Sequence, residues 1–141
     1  MAKLNQVQKS GLMDLWNIVK FQIHLHCHLN SISISESDLE SLTLLALNEE
    51  AELTAFCNAA CIEDERDRDH TLLYQREIFK TPQSVRNSIN KLENMNLIQK
   101  KGKSKKKVSL DPSLQIQSKG NIFIEVKFLR KDESKEAQTT D

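Results

Sequence analysis

Glycine and proline are scarce, at three and two residues in a chain of 141. That scarcity argues against Gly-rich nucleotide-binding loops and against a turn-rich all-β fold. Long apolar runs are missing as well. A stretch such as Leu44 to Leu47 is four residues long, far short of the roughly 18 a membrane span needs. No apolar core precedes a small-residue cleavage site near the N-terminus, so export is not expected. Cysteine is limited to Cys27, Cys57 and Cys61, which in an unexported chain read as reduced thiols rather than a disulfide framework. A cytoplasmic chain with no membrane partner is therefore expected.

What is present suits one domain with arms. Hydrophobic residues make up 38% and charged residues 28%, slightly polar for a globular chain but outside the disordered regime. The formal net charge of zero hides a strong asymmetry. Residues 1–79 carry six basic and thirteen acidic side chains, a net of −7. Residues 80–107 carry nine basic side chains and only Glu93, a net of +8. Residues 108–141 carry five and six, a net of −1. A polyanion would meet the middle segment and be repelled by the front half.

Leu12, Leu15, Trp16 and Val19 are spaced as in a helix that Ser10 or Gly11 opens. The period then changes. Phe21, Ile23, Leu25, Cys27 and Leu29 alternate with Gln22, His24, His26 and His28. The alternation fits a half-buried strand, and a helix continuing from Leu12 is the equal competitor. Ser35 with Asp38, or Ser37 with Glu40 as a better capping box, opens a helix over 36–47 that Asn48 ends in the left-handed conformation. Leu53, Phe56, Cys57, Ala60 and Cys61 lie on one face of a second helix reaching Ile62. Residues 63–69 are a charge run, expected to be solvated. Leu72, Leu73, Ile78 and Phe79 return to the core, and a polar tail begins at Asp132.

Residues 81–98 are the most informative. Thr81 is an N-cap and Pro82 sits at the first helical position, where a missing N–H costs nothing. Val85, Ile89 and Leu92 recur as a buried stripe. The other face offers Gln83, Arg86, Asn87, Asn90 and Lys91, groups that reach base edges and phosphates. Asn96 is a left-handed stop, and Leu97 and Ile98 anchor the exit. A strand from Ile98 to Lys101, a turn over 102–107 and a return through Val108 and Leu110 follow, closed by Asp111-Pro112. This hairpin carries Lys100, Lys101, Lys103, Lys105, Lys106 and Lys107 with no acid among them.

The run from Phe79 to Ile98, with Thr81, Val85, Ile89, Leu92, Leu97 and Ile98 at the core positions, resembles the recognition helix and exit turn of winged helix-turn-helix proteins, MarR-like ones in particular. Asn96 replaces the usual glycine. The resemblance covers about residues 36–110 and makes Leu53 to Ile62 the first helix of the helix-turn-helix. It departs in the long acidic gap from Ile62 to Thr81, which would repel phosphates near a groove. More faintly, the chain is similar to small proteins of crAss-like tailed phages.

The resemblance implies an α+β fold. A winged helix-turn-helix core spans 36–112. An N-terminal arm of helix and possible strand covers 1–35, a C-terminal strand extension lies over 113–131, and a tail follows at 132–141. It implies a non-catalytic regulator that binds double-stranded DNA through helix 82–95 and a basic wing at 100–107, as a homo-oligomer. The phage similarity implies instead a virion neck, connector or adaptor subunit that contacts other phage structural proteins, in the virion rather than the host cytoplasm.

The remaining clusters point to structure rather than chemistry. His24, His26 and His28 are expected on the solvent side, since no further His/Cys pair stands nearby at zinc spacing. Cys57 and Cys61 read as small buried hydrophobes. No catalytic motif, P-loop or dinucleotide fingerprint is found, and no enzyme activity or cofactor is expected. Ile122, Ile124, Val126 and Phe128 alternate with Phe123, Glu125, Lys127 and Leu129, which predicts a further strand. It would pair with 21–29 in the same chain or in a neighbour.

Overall fold

The computed structural model describes residues 5–61 and 74–131. The charge run at 63–69, Leu72, Leu73 and the tail at 132–141 lie outside the described residues. The chain divides into two units. Residues 14–118 form one, and the described residues 5–13 and 119–131 belong to the other.

Among the described residues of the unit 14–118, four α-helices accompany a small three-stranded antiparallel sheet, an α+β arrangement compatible with a winged-helix-like layout. Helix α1 runs Leu15–Leu29, α2 Glu36–Leu47, α3 Leu53–Ala59 and α4 Pro82–Asn94. Strand β1 is Ala51–Glu52, β2 Ile98–Lys101 and β3 Lys107–Leu110. The order is β1-β3-β2, with Ala51 opposite Val108 and Lys100 also opposite Val108.

Segment 21–29 is helix, continuous with Leu15. Of the five alternating apolar residues only Ile23 and Cys27 are buried, and they stand at i, i+4. With Trp16 and Val19 they form one helical stripe, while Phe21 and Leu29 face outward. The apparent period of two was thus a coincidence laid over a period near 3.6. The helix starts later than Ser10 or Gly11 because Asp14 is the N-cap, accepting from Asn17 N at 2.8 Å. Helix α1 is also no arm. Val19, Ile23 and Cys27 share the core of α2 and α4, and Lys20 bonds Glu36 on α2.

Ser35, rather than Ser37, caps α2, accepting from Asp38 N at 3.2 Å. Asn48 ends α2 without the left-handed conformation (φ −129°, ψ 47°). Its side chain does other work. Nδ2 donates to Leu44 O at 3.1 Å and to Tyr74 O at 3.0 Å, which ties the end of α2 to the returning chain. The positive φ falls instead on Glu50 (61°). Glu52 caps α3 through both carboxylate oxygens, and α3 ends at Ala59, short of Ile62. The chain rejoins beside α3 on both sides of the long connection. Arg76 N donates to Ala59 O at 3.0 Å, and Ile78 N and Phe79 N donate to Ala60 O at 2.8 and 3.0 Å.

Helix α4 forms as its residues dictate. Thr81 caps it, Pro82 opens it, and Val85, Ile89 and Leu92 are fully buried, each contributing about 1.5–3 kcal/mol by area. Asn96 takes φ 62° and stops the helix. In the hairpin, Gly102 adopts φ 84°, ψ −177°, a conformation open to glycine and few others. Ser104 and Lys105 follow at positive φ.

The expected strand over 122–129 is not formed, and 113–131 holds no strand. A strand exists only through a neighbour's ladder, and among the described residues nothing pairs with this segment. Before it, the chain is held by Gln22 on α1. Gln22 Nε2 donates to Gln117 O at 2.7 Å, and Gln117 N donates to Gln22 Oε1 at 2.8 Å.

Candidate nucleic-acid interface

Because Val85, Ile89 and Leu92 turn inward, the opposite side of α4 is compelled to face solvent. Gln83, Asn87 and Asn90 stand there, all exposed. Asn94 extends the line at i, i+4, i+7 and i+11 and is also exposed. The sequence reading missed Asn94, although the spacing already pointed to it. Four carboxamides in a row form a neutral face that both donates and accepts hydrogen bonds.

The cations around this stripe divide into two kinds. Lys91, Arg86 and Lys100 are engaged within the protein. Lys91 Nζ lies 2.9 Å from Asp38 Oδ2 on α2, and Ser88 Oγ lies 2.6 Å from Asp38 Oδ1. Arg86 Nη2 donates to Thr54 Oγ1 on α3 at 3.2 Å, so it spans the two helices. Lys100 Nζ, on a side chain only 18% exposed, donates to Asn90 Oδ1 at 2.7 Å and stands 3.6 Å from Glu93 Oε1. The second kind is in the hairpin. Lys103, Lys105, Lys106 and Lys107 are exposed, and no acid among the described residues pairs with them. Lys101 sits between the two groups, 3.8 Å from Glu50 Oε1. On the stripe itself, Gln83 Nε2 donates to Asn87 Oδ1 at 3.0 Å.

Asp38 anchors the back of this surface. Burial pushes its carboxyl pKa up, but hydrogen bonds from Ser88, Lys91 and Ser35 outweigh that and hold it below the usual value. A depressed carboxyl stabilises the fold above its unfolded-state pKa, and that contribution is lost as pH falls through the folded value. Asp38→Ala should cost about 1–3 kcal/mol at pH 7, because the buried Ser88 hydroxyl loses its acceptor. Asp38→Asn keeps an acceptor for Ser88 and should cost less at pH 7, with a flatter stability profile below pH ~4. Urea denaturation of the three proteins at pH 7 and pH 3 checks both statements. Equal acid sensitivity of wild type and Asp38→Asn would contradict the assignment.

The other polar clusters gather no site. His24 and His28 are exposed on α1 and His26 is half-buried. Among the described residues no group of three or more His, Cys, Asp or Glu side chains is placed to hold a metal ion. Cys57 is fully buried and its thiol is pushed up to about 11 by burial. Cys27 is raised for the same reason, while Cys61 is half-buried and bonds Cys57 O at 3.0 Å. Thiols so shielded are poor nucleophiles. Among the described residues no helix is long and apolar enough to cross a membrane.

No protein-family model matches the chain, and neither a curated protein nor a solved structure matches it.

Proposed function

We propose that the chain is a non-catalytic winged helix-turn-helix protein that binds double-stranded DNA, with the role of a transcriptional regulator. The observation that carries this reading is the pairing of an exposed carboxamide stripe on α4 with a hairpin whose Lys103, Lys105, Lys106 and Lys107 meet no described acid. Helix α4 occupies the major groove, with Gln83, Asn87 and Asn90 toward base edges and Arg86 beside them. The hairpin is the wing, and its lysines hold the neighbouring phosphates. Lys91 and Lys100, already bonded within the protein, position the helix more than they bind phosphate. The order helix, short strand, helix, helix, hairpin and the sheet order β1-β3-β2 support the same reading.

Fluorescence anisotropy with a labelled random duplex tests it. Binding near 50 mM salt is expected, with log K falling linearly in log salt at about −0.9 per phosphate contact. A chain that ignores duplex DNA at low salt is not a DNA-binding protein.

One observation favours a second reading, a phage connector or adaptor subunit. Phe123, Phe128 and Leu129 are 80%, 73% and 74% exposed, apolar side chains of the kind a neighbouring subunit covers. That reading expects light scattering to show a large closed oligomer that is unchanged by DNA.

A further inference from the structure

Residues 121–131 follow Gly120, which takes φ 65°, and none of them adopts a positive φ. Their backbone is open to a strand and lacks only a neighbouring ladder. Phe123, Phe128 and Leu129 are largely exposed, and Ile124 is 39% exposed. Glu125 and Lys127 are exposed as well, and neither forms an ion pair among the described residues.

In an antiparallel pair, directly opposed side chains share a face, so two copies of one strand related by a two-fold axis centre on a single residue. Centring on Val126 sets Glu125 of each copy opposite Lys127 of the other, Phe123 opposite Leu129 and Ile124 opposite Phe128. Each pair joins acid to base or apolar to apolar, and each occurs twice. Centring on Glu125 or Lys127 sets like charges face to face, which destabilises a sheet. Centring on Ile124 sets Glu125 against Phe123, and centring on Phe128 sets Lys127 against Leu129. We propose that residues 122–130 are a homodimerisation strand, which pairs antiparallel with the same segment of a second copy about a two-fold axis at Val126. The contact uses the same patch on both copies and therefore closes at two. A ribbon of two strands is marginal alone, so the dimer exchanges with monomer on dilution.

Sedimentation velocity of the full chain over a dilution series, without DNA, tests the proposal. Wild type should pass from monomer to dimer and no further. Glu125→Lys and Lys127→Glu each turn both charge pairs into like-charge pairs, and each should weaken the dimer by roughly tenfold. Both sites are exposed, so folding is not at stake. The double variant restores opposite charges across the strands and should recover wild-type dimerisation. An equimolar mixture of the two single variants should dimerise more tightly than either alone, because each supplies the charge the other lacks. The proposal is overturned by a wild type that stays monomeric up to about 0.1 mM, or by an oligomer that neither single variant weakens. It is equally overturned if the double variant and the mixture do not recover what the single variants lose. A monomer that binds duplex DNA overturns this proposal and leaves the DNA-binding reading standing, whereas a dimer that ignores duplex DNA does the reverse.

Discussion

Replacing Lys105, Lys106 and Lys107 together by glutamine should weaken duplex binding by roughly two orders of magnitude near 0.1 M salt, and equally for every sequence. The estimate follows from counterion release. Each phosphate neutralised by a lysine adds about 0.9 to the slope of log K against log salt, so three lost contacts flatten it by about 2.7. These side chains are suited to the role because nothing described competes for them. All three are exposed, and the acids that do reach hairpin lysines, Glu50 and Glu93, pair with Lys101 and Lys100. The fold should be unaffected, since none of the three contributes to the core. Thermal melting alongside anisotropy separates loss of binding from loss of structure. Unchanged affinity and slope in a folded triple variant would remove the hairpin from the interface.

Phe56→Ala should cost about 3–5 kcal/mol, a large part of the roughly 5–15 kcal/mol that holds a domain of this size together. Phe56 is fully buried and lies on α3, a helix of only seven residues. A helix that short has no stability of its own and persists only through the face it buries. Deleting the ring leaves a cavity beneath α3, and α3 carries Thr54, the hydroxyl that receives Arg86 of α4. The change should therefore lower the urea midpoint with little change in m-value and weaken duplex binding as well. A cost under about 1 kcal/mol would mean that α3 is not packed as described.

The α4 face was legible in the sequence because its determinants are local. A cap at Thr81, proline at the first position and apolar residues at 85, 89 and 92 leave one side for solvent, whatever the rest of the chain does. The hairpin was legible for the same reason, with Gly102 and the lysine run marking its tip. Segment 21–29 was ambiguous because strand and helix periods coincide at Ile23 and Cys27, and burial against α2 and α4 selected the helix. Segment 122–129 misled for a related reason. Alternation describes what a strand would bury, but a strand also needs an edge to pair with. Asn48 shows a third limit. Its type suits a left-handed stop, yet its amide is used to hold Tyr74, 26 residues on.

Composition and spacing by themselves determined the bounds and polarity of α4, the basic hairpin and the charge contrast between segments. Each depends on contacts within a few residues or on simple charge counts. Only the tertiary structure decided which charges remain available. Lys91, Arg86 and Lys100 look equivalent to the hairpin lysines in the sequence. Asp38, Thr54, Asn90 and Glu93, brought against them by packing, give each of the three a partner within the protein, although the Lys91 side chain remains 59% exposed. Pairing of that kind depends on distances of a few ångströms between residues up to 53 positions apart, which no local pattern encodes.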